Sequence, residues 1–195
     1  PFLSIGVCFK ALGMLDKAAE SFEAALGRDP SCALAHYNLG RVLSAQGKLP
    51  EALRAYRRAI EVDSGNALAL NNLGTLLDRQ KNLSEAKEMY RKAARVAPRL
   101  GLAHYNLAWA FHREKGYGDA AAAYQKAIAL GLEDSFLYCN LGACLFHQEK
   151  FVESEMAYRR ALQLNPGYAL AHHELGLALE WQDRLPEAIL AYRRA

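Results

Sequence analysis

The chain has 195 residues, 52% of them apolar and 23% charged, which fits one ordinary domain or a short repeat array and excludes a disordered segment. A net charge of +3 with no long block of one sign does not by itself point to nucleic acid. No stretch reaches the roughly 18 consecutive apolar residues of a membrane span.

The opening PFLSIGVCFK has no Met and no basic region ahead of an apolar core, so it is not read as a secretory signal. It and the abrupt end at AYRRA read as the interior of a longer protein. Ile5–Gly6 then begins a series that returns every 34 residues, as Leu39–Gly40, Leu73–Gly74, Leu107–Ala108, Leu141–Gly142 and Leu175–Gly176. Twelve residues past each small residue stands Ala18, Ala52, Ala86, Ala120, Ser154 or Ala188. Four further on is an aromatic: Phe22, Tyr56, Tyr90, Tyr124, Tyr158 or Tyr192. A proline closes three of the units, at Pro30, Pro98 and Pro166.

The register predicts about six units, at 1–32, 33–66, 67–100, 101–134, 135–168 and 169–195, with the first and last truncated. Each predicts two helices. In the second unit His36, Leu39, Gly40 and Leu43 form one stripe of a first helix, and Ala52, Tyr56, Ala59 and Ile60 one stripe of a second. The small residues let the two helices approach closely, and the aromatic is expected to fill space toward the neighbouring unit. Pro50 and Pro186 fall where a second helix begins and no amide donor is needed. Asp29–Pro30 and Asn165–Gly167 stop second helices. ALGLEDS at Ala129–Ser135 predicts a looser turn between the fourth and fifth units. No unit can bury its stripe alone, so the units must stack.

The pattern Leu-Gly-x-x-(aromatic or Leu), then Ala-x-x-x-Tyr-x-x-Ala and Pro, at a 34-residue period, resembles the tetratricopeptide repeat over essentially the whole chain. The departures are His36, Leu70, His104, Tyr138 and His172 in place of Trp, Ala108 in place of Gly, and Ser64 and Leu132 in place of the closing Pro. The resemblance implies an all-α, right-handed superhelical solenoid of antiparallel helix pairs. It also implies that the first helices line a concave wall and that the function is binding another protein.

Each first helix carries a second stripe: Leu34, Asn38, Arg41, Ala45; then Leu68, Asn72, Thr75, Arg79; Leu102, Asn106, Trp109, Arg113; Phe136, Asn140, Ala143, His147; and Leu170, Glu174, Leu177, Trp181. An asparagine amide both donates and accepts, as a peptide group does. Asn38, Asn72, Asn106 and Asn140 are therefore candidates to hold the backbone of an extended guest peptide, their amides solvent-accessible. NNLGTLL followed by EAKEMYRKA is similar to the asparagine-ladder repeats of O-linked N-acetylglucosamine transferase. Tyr37, Tyr105, Trp109 and Phe146 are candidates for apolar contact, Asn71 lies beside the stripe, and Arg41, Arg79 and Arg113 would attract an acidic segment. The competing role for the asparagines is structural, a bond to a neighbouring helix or to water. A clamp for the carboxylate tails of chaperones is disfavoured, because the position where that mode needs Lys holds Leu34, Leu68, Leu102, Phe136 and Leu170.

The basic pairs of the second helices, such as Arg57–Arg58 and Arg159–Arg160, read as a solvated face balanced by Glu51, Glu85, Asp119, Glu153 and Glu187, not as a nucleic-acid stripe. Cys8, Cys32, Cys139 and Cys144 include no CxxC pair and are expected to be reduced, which suits the cytoplasm or another reducing compartment. His172–His173, and Cys32 with His36, do not make a metal site, since adjacent histidines diverge on a helix. No nucleophile motif or phosphate-binding loop appears, so neither catalysis nor a cofactor is expected in this segment. The expected partner is a protein or peptide. Two alternatives are a substrate-reading arm of a larger glycosyltransferase-like enzyme, and a module that docks a partner helix or self-associates end to end.

Overall fold

The computed structural model describes residues 1–195. They form twelve α-helices and no strand, in two compact units, Pro1–Pro98 and Arg99–Ala195. The first unit holds α1 (Phe2–Ala11), α2 (Leu15–Arg28), α3 (Ala33–Ala45), α4 (Leu49–Val62), α5 (Ala67–Arg79) and α6 (Leu83–Val96). The second holds α7 (Gly101–Arg113), α8 (Tyr117–Ala129), α9 (Ser135–Phe146), α10 (Phe151–Leu164), α11 (Ala169–Glu180) and α12 (Leu185–Tyr192). Within each unit consecutive helices form hairpins, and the second helix of one hairpin packs on the first of the next. The all-α, helix-pair solenoid class is the one that the period implied. No helix is long and apolar enough to cross a membrane.

Local chemistry sets the boundaries. Pro50 and Pro186 sit in the first turns of α4 and α12. The Asn66 side chain caps α5 by accepting from the Ala69 amide, and Asn82 caps α6 by accepting from Glu85. In the turn from α8 to α9, Gly131 takes φ +89° and Asp134 caps α9 by accepting from the amides of Phe136 and Leu137. The turn inside each hairpin places its 34-residue-spaced residue in the left-handed region: Gly13, Gly47, Lys81, Lys115, Glu149 and Asp183, with φ between 59° and 77°.

In the five hairpins with a glycine at this phase the aromatic lies against that glycine, and it also meets the next hairpin as expected, Tyr158 sharing a core with Ala171 and Leu175. A Cβ on Gly40 would stand 2.7 Å from the Tyr56 ring, one on Gly74 2.7 Å from Tyr90, and one on Gly142 2.6 Å from Tyr158. Such contacts are far inside van der Waals distance, so the missing side chain is what lets the ring lie down on the helix. The small residue twelve positions on is buried in every hairpin. Where it is Ser154, the hydroxyl donates to the Gly142 carbonyl at 2.8 Å and leaves no orphan group.

Polar side chains fasten neighbouring hairpins together. The Gln148 amide donates to the carbonyls of Tyr117, one hairpin back, and Cys144, and Gln182 donates likewise to Phe151 and Ala178. His36 and His172 each donate Nε2–H to the carbonyl of the closing proline, Pro30 or Pro166, at 2.9 Å. On the second helices Arg57 pairs with Glu85 at 3.2 Å and Arg159 with Glu187 at 3.4 Å, the balanced solvated face that the sequence suggested. All four cysteines are free; Cys139 and Cys144 are buried, and burial pushes the Cys139 thiol up to about 11 and Cys144 to about 12.

Glu155 is a buried carboxylate held by Arg159 at 2.9 Å, Gln182 at 3.0 Å and Arg184. Burial alone would raise its carboxyl, but the bonds from Arg159, Gln182 and Arg184 outweigh this and hold it below the usual glutamate range. Its stabilising contribution is therefore present above the unfolded pKa of glutamate and is lost as pH falls through the lower folded value. Glu155→Gln is expected to cost about 2 kcal/mol at pH 7 in urea unfolding, because charged hydrogen bonds become neutral ones. The gap to wild type should narrow in strong acid; a gap independent of pH would rule out this account.

Candidate functional site

The first helices hold the second stripe, and the structure divides its asparagines. Asn38 is only 4% exposed, which corrects the expectation of four accessible amides. It donates to the Leu34 carbonyl at 2.9 Å and accepts from Lys10 Nζ, on α1, at 3.1 Å. Asn72 is half-buried and reaches the Tyr56 hydroxyl, which burial nonetheless pushes up to about 12. In the next unit Glu174 takes the corresponding place and accepts from the Tyr158 hydroxyl at 3.3 Å.

One rule connects these cases. The residue at this phase follows the preceding hairpin's aromatic by sixteen positions, as Asn38 follows Phe22, Asn72 follows Tyr56 and Glu174 follows Tyr158. Where the aromatic is tyrosine, its hydroxyl is the natural partner. Phe22 has none, and Lys10 takes the free acceptor of Asn38. Asn140 is half-buried and its amide makes no hydrogen bond, while the buried hydroxyl of Tyr124, sixteen positions earlier, has no partner either. Asn106 is half-buried and partnered.

The other sequence candidates divide by exposure as well. Tyr37 and Asn71 are buried, which corrects Tyr37 as a surface for a guest: its ring packs 6.2 Å from Tyr56 and under the Arg41 guanidinium. Arg41, Trp109 and Arg113 are exposed, and Tyr105 and Phe146 are half-buried. In the first unit Arg41, Tyr56, Asn72, Thr75 and Arg79 line one open groove of about 340 Å³.

In the second unit Trp109 begins a row of rings that the sequence reading missed. His112 lies 6.1 Å from Trp109, Tyr117 5.8 Å from His112, and His147 stacks on Tyr117 at 4.1 Å. Phe146 lies 5.3 Å from Phe151, on which Trp181 stacks at 5.5 Å. Burial first, then the charge of His147, holds His112 below the usual histidine range. Tyr117 and Phe151 begin second helices, and only the hairpin geometry brings them beside ends of first helices.

The most regular feature lies at the phase of Leu34. Leu34, Leu68, Leu102, Phe136 and Leu170 are each 45–54% exposed, so every first helix from α3 to α11 presents one apolar side chain to solvent. No group of three or more His, Cys, Asp or Glu residues is placed to hold a metal ion.

Family models described as the tetratricopeptide repeat match residues 9–67, 40–95, 71–135 and 135–168. A comparison with curated proteins gave no match. Among solved structures, YrrB, described as a tetratricopeptide repeat protein with an unusual peptide-binding site, superposes with a TM-score of 0.84. It is 25% identical over 90% of this chain and 91% of its own. MamA gives 0.73 at 25% identity, over 80% of this chain and 91% of its own. PilF of Pseudomonas aeruginosa, at 23% identity over 97% of this chain and 86% of its own, gives 0.81 and shares the fold. The chain belongs to the tetratricopeptide repeat family.

Proposed function

We propose that the chain is a protein-interaction scaffold that holds an extended segment of a partner against its first helices. The observation that carries this reading is the half-exposed apolar side chain at one phase of five successive first helices. Within each unit an extended guest advances about 3.3 Å per residue and packed helices stand about 8–10 Å apart, so every third guest residue or so meets one of these side chains. Asn72 and Asn140, half-exposed beside them, supply polar contact to the guest backbone. The peptide-binding site ascribed to YrrB, which this chain resembles, supports the same class of ligand.

The test selects linear peptides on the wild-type chain from a random display library and measures their affinity for variants. Leu102→Ser with Leu170→Ser is expected to weaken the selected peptides by roughly tenfold, while leaving Tm nearly unchanged because both side chains are at the surface. Unchanged affinity would move recognition off this face. The asparagines should separate in the same assay. Asn140→Ala leaves Tm unchanged, whereas Asn38→Ala leaves Lys10 without its acceptor and lowers stability by about 1 kcal/mol.

A further inference from the structure

The charges of the first unit identify the kind of guest. Helices α1, α3 and α5 carry three cations, Lys10, Arg41 and Arg79, against one carboxylate, Asp78, which has a partner already. None of the three cations is in an ion pair. Lys10 bonds to Asn38, Arg41 lies over the Tyr37 ring, and Arg79 is exposed. On second helices of the same unit Arg57, Arg58 and Arg91 each pair with a glutamate.

Two of the unpaired cations stand close enough to repel. Burial and the Arg41 charge together hold the Lys10 ammonium below the usual lysine range. Arg41 and Arg79 both line the groove that Asn72 and Tyr56 also line. Guanidinium groups match carboxylates in geometry and charge. The second unit does not share this balance, because α7, α9 and α11 carry Arg113 against Glu174 and Glu180.

From this we infer that the first-helix face of the Pro1–Pro98 unit binds an acidic peptide segment, whose side-chain carboxylates pair with Arg41 and Arg79 and approach Lys10. The cations come from three helices about 8–10 Å apart in packing distance. One terminal carboxylate cannot reach across them, so the guest carries several acidic side chains along an extended run. The inference rests on the proposed capture of a partner segment by the first helices and adds the chemistry of that segment.

The test is fluorescence anisotropy on the whole chain with two labelled, C-terminally amidated peptides of about ten residues, long enough to cross the three helices when extended. One alternates Glu with Ala; the other has Gln for every Glu. The Glu peptide is expected to bind at least roughly tenfold more tightly, with the difference shrinking as salt rises. Arg41→Gln with Arg79→Gln should abolish the difference while the circular dichroism spectrum stays that of wild type, since both side chains are exposed. Equal affinity for the two peptides, no binding of either, or a difference that survives the double variant overturns the inference. So does an oligonucleotide that displaces the Glu peptide at lower concentration than unlabelled Glu peptide does. Library peptides that bind wild type but lose affinity in Leu102→Ser with Leu170→Ser would leave the broader scaffold reading standing after any of these failures.

Discussion

Tyr158→Ala is expected to lower the stability of the chain by about 3–5 kcal/mol, the usual range for removing a fully buried aromatic. The side chain is 0% exposed and belongs to the core that Cys139, Ala161, Ala171 and Leu175 complete. Its ring covers the helix at Gly142, so its loss opens a cavity between α9, α10 and α11 that no neighbouring side chain is long enough to fill. The hydroxyl bond to Glu174 disappears as well. Tyr158→Phe separates the two contributions: it keeps the ring and should cost about 1 kcal/mol. Urea unfolding followed by circular dichroism measures both. A cost below about 1 kcal/mol for alanine would mean that the hairpins close over the gap, against the rigid packing argued here.

Gly40→Val should cost about 3 kcal/mol, at the upper end of overpacking substitutions. The new Cβ would lie 2.7 Å from the ring of Tyr56, which is 2% exposed and held between hairpins. Valine gains only a few tenths of a kcal/mol over glycine in helix propensity, so the steric term decides the sign. Ala108 gives the matching control. It occupies the same phase, is fully buried, and its hairpin's Tyr124 is already placed to accept a methyl. Ala108→Gly should therefore cost about 1 kcal/mol, the helix propensity alone, and give no steric relief. If Gly40→Val were neutral in thermal unfolding, the contact between glycine and aromatic would not be what sets the spacing of the hairpin.

The close approach of the two helices at Gly40 and the stops at Pro30 and Pro166 were legible in the sequence, from the period and from backbone chemistry, whereas the contact of the Tyr56 ring with Gly40 comes from the structure. The fate of the asparagines was not legible, because it depends on the hairpin before. Asn38 and Asn72 stand in the same motif, yet Phe22 leaves Asn38 to Lys10 while Tyr56 takes Asn72. For these two asparagines the difference lies in one hydroxyl sixteen residues upstream, absent from Phe22 and present on Tyr56. Lys10 belongs to none of the recurring positions, so nothing in the pattern marked it. The ring row from Trp109 to Trp181 joins ends of different hairpins, and side-chain spacing along one helix cannot show it.

The turns inside the hairpins have a different implication, for what the chain could become. Six turns share one left-handed backbone shape, but only Gly13 and Gly47 hold it with the residue that adopts it freely. Lys81, Lys115, Glu149 and Asp183 hold it with side chains that disfavour it by about 1 kcal/mol or more each. All four are exposed, so no packing depends on their identity. The fold thus keeps an untapped reserve of robustness at its bends, open to engineering without touching the core or the face proposed to meet a partner.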